Sequence, residues 1–126
     1  MRNKPYDLTY MLRQIGDQDL VEEIVSRYIV HVQEQLDTLK NLKPYAENLP
    51  EIHRIAHSIK GGARNIGAAR MEKTAMSLEK RAKANKAHTC GGEIKKLIQA
   101  FHSLQESITL KVPGDGNDQK GFICGR

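Results

Sequence analysis

The stretch I-H-R-I-A-H-S-I-K-G-G-A-R-N-I-G-A, Ile52 to Ala68, carries both a fold signal and a chemical one. Ile52, Ile55, Ala56, Ile59 and Ala63 recur at i, i+3, i+4, i+7 and i+11, the apolar face of an amphipathic helix. Asn65-Ile66-Gly67 reads as the end of that helix and a turn. Gly61 and Gly62 stand inside it, although a glycine in a helix interior costs about 1 kcal/mol relative to alanine. With Ile52 at zero and about 100° per residue, the core positions fall within about 60°, Lys60 near about 80°, His57 near about 140° and Gly61 near about 180°. His57 therefore faces outward, with His53, Lys60, Gly61 and Arg64 on its flank. The missing side chain at Gly61, one turn beyond His57, lets a second macromolecule approach the ring. Lys60 and Arg64 surround the imidazole with positive charge, which suits an anionic reactant.

Outward from this segment the chain continues in helical periods. Asp7 to Ile15 reads as a short helix with Leu8, Met11, Leu12 and Ile15 on one side, Asp7 as its N-cap and Gly16 as its stop. Asp19 and Glu22 resemble a capping box for a long helix over about 20–42. Its face is Leu20, Val21, Ile24, Val25, Tyr28, Ile29, Val32, Leu36 and Leu39. Pro44 to Pro50 is a break. Met71, Ala75, Leu78 and Ala82 mark a helix over about 68–86, Ala87 to Gly92 reads as a loop, and Ile94, Leu97, Ile98, Phe101, Leu104 and Ile108 mark the last helix. Four long amphipathic helices with short connections predict an all-α, antiparallel up-down four-helix bundle over 1–112, with the short first helix covering one end. The Gly-rich and polar segment 113–126 reads as a mobile tail.

Composition narrows the function. The chain has 126 residues, 39% of them apolar and 28% charged, an ordinary globular composition with room for its own core. No stretch approaches the roughly 18 apolar residues of a membrane span, and no leader pattern is visible, so the sequence reads as cytoplasmic with no membrane partner and with Cys90 and Cys124 as reduced thiols. The net charge of +5 is concentrated between His53 and Ala100, where eleven Lys or Arg face the three acids Glu72, Glu79 and Glu93. Such a surface calls for an anionic partner. Nucleic acid is disfavoured, because no reader motif and no aromatic stacking platform accompany the charge. A metal is also disfavoured: His53 and His57 could present to one at i, i+4, but two ligands are insufficient and Lys60 and Arg64 repel a cation. No phosphate-binding glycine loop or nucleophile elbow is present.

A second helix should complete the surface around His57. Counting back from the turn at Gly67, residues 77–79 lie level with it, since both helices rise about 1.5 Å per residue. Glu79 and Lys83 share one flank of that helix. Periodicity leaves open whether that flank is the one beside His57.

The block A-H-S-I-K-G-G-A-R-N-I-G-A, the downstream Leu78-Glu79 pair and the upstream D-L-T-Y-M-L-R-Q-I-G-D-Q-D-L-V together resemble the histidine-containing phosphotransfer (HPt) domain over about residues 5–110. Ile59 stands where the family commonly has Leu. The resemblance implies a phosphorelay carrier that takes a phosphoryl group from a receiver-domain phospho-aspartate onto His57 and passes it to another receiver aspartate. It implies Nε2 of a neutral imidazole as nucleophile and Lys60 as a charge stabiliser for the phosphoryl oxygens. Glu79 would hold the second ring nitrogen, and Lys83 would make a further phosphoryl contact. Arg54, Gly61, Gly62 and Arg64 would form the receiver docking surface. The implied partners are response-regulator receiver domains or a hybrid sensor kinase, with the chain a monomer. It implies a non-enzymatic intermediate without ATP site or autokinase activity, and no cofactor of its own, Mg²⁺ belonging to the partner receiver. The competing reading is a basic helical interaction module, binding nucleic acid or protein without phosphotransfer.

Overall fold

The computed structural model describes residues 5–111, with side chains described as far as residue 108. Among the described residues all regular structure is helical: α1 (Thr9–Ile15), α2 (Gln18–Lys40), a 3₁₀ turn (Tyr45–Glu47), α3 (Leu49–Asn65), α4 (Ala69–Lys83) and α5 (Ala87–Lys111). The expected tail over 113–126 lies outside the described residues.

Each long helix buries one stripe. Val21, Val25, Ile29, Val32, Leu36 and Leu39 do so on α2, and Ile52, Ile55, Ala56, Ile59 and Ala63 on α3. Met71, Ala75, Leu78 and Ala82 face them from α4, and Ile94, Leu97, Phe101 and Leu104 from α5. The closest pairing is α3 against α4; α4 also packs on α5, and α2 touches both α3 and α5. The N-terminal segment is tied to the α3–α4 turn. The Asp7 amide donates to the Ile66 carbonyl at 3.0 Å, and Tyr6 and Met11 join the core. Gly67 makes this junction: its φ is +65°, and a Cβ there would stand 2.3 Å from the Asp7 carbonyl oxygen.

Several boundaries differ from the sequence reading. Asp17, not Asp19, caps α2, its carboxylate accepting from the Leu20 amide at 3.1 Å, and the helix runs over 18–40 rather than 20–42. Leu20 is left 44% exposed. Pro50 lies in the first turn of α3, where its missing amide hydrogen is no loss, so the break closes at Asn48. The α4 helix ends at Lys83, and Asn85 turns the chain with φ of 60°. Ala87 to Gly92 is helix rather than loop, the first turns of α5. Gly91 and Gly92 lower the local helix propensity, but the core stripe runs through them: Cys90 is fully buried one turn before Ile94, and Ala87 packs against the core. Cys90 forms no disulfide among the described residues, and burial pushes its thiol up, past the opposing pull of Arg81.

Gly62 also belongs to packing. A Cβ there would lie 2.1 Å from the Tyr28 ring of α2, whose hydroxyl donates to the Ile59 carbonyl at 3.0 Å. Burial pushes that hydroxyl's pKa well above its ordinary value. Because the ring is held at both ends, Gly62→Ala should lower unfolding free energy by about 1–3 kcal/mol through overpacking. Urea denaturation checks this; an unchanged midpoint would mean the ring yields freely.

Candidate functional site

The site is built on the α3–α4 pair. Its centre is the Glu79 carboxylate, which α4 projects toward α3 from a position only 14% exposed. One oxygen, Oε1, accepts from the Lys60 ammonium at 2.8 Å. The other, Oε2, lies 2.8 Å from His57 Nδ1 and 3.6 Å from His53 Nε2. The two imidazoles, one helical turn apart, stack nearly parallel with centroids 6.5 Å apart and planes 10° from coplanar. Burial raises the Glu79 pKa, but hydrogen bonds and charge from Lys60 and His57 outweigh it and hold the carboxyl below its ordinary range. Glu79 is therefore an anion at neutral pH, and His57 Nδ1–H is the donor to it. That leaves Nε2 with the free lone pair, on a side chain 65% exposed.

The flank left open by periodicity is thus resolved: Glu79 lies on the His57 side. Lys83, one turn further along α4, is exposed and makes no ion pair among the described residues. Gly61 is open, with nothing within 4 Å of a Cβ built on it. Gly62, grouped with Gly61 as docking surface in the sequence reading, faces Tyr28, and its lack of a side chain serves the α2–α3 contact. Arg54 is paired with Glu51 on its own helix. Arg64 crosses to Glu72 of α4 at 2.7 Å. His31, His88 and His102 are exposed and remote in sequence from this cluster. The contact the sequence reading missed is that of His53, taken there as a flank neighbour and a candidate ligand. Its i, i+4 spacing from His57 was the available signal. No group of three metal-ligating side chains suited to an ion occurs among the described residues.

The three acids of the basic region are all engaged: Glu72 by Arg64, Glu79 by Lys60 and His57, and Glu93 by Arg81 and Lys96, each at 3.5 Å. Lys73, Lys80, Lys83 and Lys86 have no ion pair among the described residues. An open groove of about 420 Å³, lined by Lys73, Met76, Ser77, Lys80, Arg81, Ala84 and Lys86, runs along α4 and excludes His57. The His57 imidazole, 65% exposed, stands on an open surface that a macromolecule can reach.

The family model for the Hpt domain matches residues 23–107, which span His57, Lys60 and Glu79. This chain belongs to the Hpt family. Phosphorelay protein LuxU of Vibrio harveyi is 27% identical over 94 residues, covering 75% of this chain and 81% of that protein. No solved structure matches significantly. As an Hpt domain the chain is a phosphorelay carrier and works with receiver domains or sensor kinases; the reading as a basic module without phosphotransfer is not favoured. The family match begins within α2, so α1 lies outside the matched stretch.

Proposed function

We propose that His57 is the phosphoacceptor and that Nε2 is the reacting atom. The observation that carries this is the 2.8 Å contact between Nδ1 and the Glu79 carboxylate, with the rest of the ring open to solvent. The Nε2 lone pair attacks the phosphorus of a receiver aspartyl phosphate in line. The N–P bond forms as the bond from phosphorus to the aspartyl oxygen breaks, and the aspartate leaves as a free carboxylate. The ring becomes cationic as this happens, since Nδ1 keeps its proton, and the Glu79 anion stabilises that charge. Lys60, shared between Glu79 and the open surface, offsets the negative charge of the phosphoryl oxygens, and Lys83 adds a second cation on the approach. Arg54, Gly61 and Arg64 lie under the docked receiver. Transfer to a second aspartate is the reverse of these steps.

The helix contacts support an antiparallel up-down bundle, in which α2 to α5 each touch two neighbours while α1 and the preceding segment cover the end at the α3–α4 turn. We take the domain to comprise 1–112, of which residues 5–111 are described. The sequence has no phosphate-binding glycine loop, so we take the chain to be a carrier without autokinase activity, acting as a cytoplasmic monomer. No helix among the described residues is long and apolar enough to cross a membrane.

The direct test is incubation with a labelled phospho-receiver, followed by acid and alkali treatment of the product. Phosphohistidine is lost in acid and survives alkali, whereas an acyl phosphate is lost in both. A label that survived acid, or one lost in alkali, would overturn the assignment. Gly61 gives an independent check of the docking surface. Gly61→Gln should stabilise α3 by about 0.5–1 kcal/mol, as replacement of a helical glycine does, and should slow transfer because the new side chain stands where the receiver approaches. A more stable variant with undiminished transfer would remove Gly61 from the contact surface.

A further inference from the structure

We propose that His53 is a positioning residue for the phosphoacceptor: it shares Glu79 with His57, and its charge keeps His57 Nε2 unprotonated to lower pH than Glu79 alone would allow. The inference rests on the reading of His57 as nucleophile. Its basis is the shared oxygen. Glu79 Oε2 is 2.8 Å from His57 Nδ1 and 3.6 Å from His53 Nε2, while Oε1 is already neutralised by Lys60 at 2.8 Å. The carboxylate and the ammonium together carry no net charge. One proton added to the imidazole pair makes the cluster +1, and a second makes it +2, with two stacked rings 6.5 Å apart bearing like charge. Like charge on both rings is therefore disfavoured, and a proton on one opposes a proton on the other.

The described ion-pair partner of His53 on α4 is Glu79; Lys83, one turn on, is exposed. On α3 the nearby charged and titratable groups are His57, Lys60 and Arg54, the last already paired with Glu51. From α2 the described contact in this region is neutral, Gln35 to Ser58 at 3.0 Å. Glu47 in the 3₁₀ turn is exposed and makes no ion pair with His53 among the described residues. The consequence for chemistry follows from the geometry of Nε2. A proton there removes the attacking lone pair, so any group that discourages that proton extends phosphoacceptance toward acid. His53 has this effect without touching the phosphoryl group.

The experiment follows the ring nitrogens of His57 by ¹⁵N NMR across about pH 5 to 8, with no partner present, in the parent chain and in His53→Gln, His53→Phe and His53→Lys. Gln and Phe remove the titrating neighbour, and Phe keeps a stacking ring. Both should raise the His57 midpoint by up to about half a pH unit, the size of a full unit-charge interaction at this separation in water, because His53 is only partly charged while His57 titrates. Lys, a permanent cation, should lower it. The acid limb of the phosphoacceptance rate should move in the same directions, by up to about threefold in rate at a fixed pH on that limb. A His57 midpoint unchanged in all three variants would overturn the proposal. So would a shift in the same direction for Gln and Lys, which marks a packing effect. If the ring titrations move as expected but no chain accepts phosphate, the reading of His57 as phosphoacceptor fails while the coupling stands.

Discussion

His57→Ala is expected to reduce phosphoryl acceptance from a phospho-receiver to background while the domain stays folded. The two halves of this result have separate causes. The imidazole is 65% exposed and its polar contact within the domain is with the Glu79 carboxylate, so truncation opens no cavity in the core. Glu79 keeps Lys60 as a partner at 2.8 Å and is not left as a bare charge. A surface change of this kind alters stability by about 0.5 kcal/mol or less, and the helix propensity of alanine offsets part of any loss. Chemistry has no such reserve. His53 is the neighbouring imidazole, but its Nε2 lies 3.6 Å from the Glu79 carboxylate. Label transfer with the variant, read beside its thermal unfolding, tests both halves. A folded variant that still took up an acid-labile label at the parent's rate would end the assignment of His57. A weak residual label that vanished in the His53, His57 double variant would instead show His53 acting as a poor substitute.

Legibility in the sequence followed how local each determinant was. The core stripes of α2, α3 and α4 are set by spacing along one helix, and Val21 to Leu39, Ile52 to Ala63 and Met71 to Ala82 are buried as their periods predict. The outward direction of His57 follows from the same geometry. The loop expected over Ala87 to Gly92 is helix, because two adjacent glycines lower local propensity while Cys90 and Ala87 keep the apolar stripe going, and tertiary packing outweighs propensity. The cap of α2 was placed at Asp19 by a sequence pattern, but Asp17 has the extended backbone that lets its carboxylate reach a later amide. Gly62 and His53 were hidden for a different reason. Their partners, Tyr28 and Glu79, are 34 and 26 positions away, on helices whose rotation about their own axes no single-helix period reveals. Glu79 was reachable as a level with His57 by counting from Gly67, though its side of α4 was not.

Glu79 is where the largest effect after His57 is expected. Glu79→Ala removes the acceptor for His57 Nδ1–H and for Lys60 at once. The imidazole is then free to place its proton on Nε2, which takes the lone pair away from the reacting atom, and the cation that develops on the ring loses its counter-charge. Losing the orienting partner of a metal-ligating histidine costs on the order of 10- to 100-fold in activity; here the same orienting role is lost together with the counter-charge, so the rate should fall by the upper end of that range. Glu79→Gln should fall between the parent and alanine, because its one carbonyl oxygen can accept from His57 or from Lys60 but carries no charge for either. An alanine variant as active as the parent would exclude Glu79 from the reaction. The same carboxylate leaves a trace in stability. Lys60 and His57 hold its folded pKa below the ordinary glutamate value of about 4.3, so the unfolded chain takes up this proton first on acidification. The stabilisation is therefore complete above that ordinary value and is lost as pH falls through the lower folded one. Urea unfolding at neutral pH should show the parent more stable than Glu79→Gln, with the gap closing in strong acid as the parent's carboxylate becomes protonated. A gap independent of pH would assign the difference to shape rather than charge, and would leave Lys60 free to serve the phosphoryl group without help from Glu79.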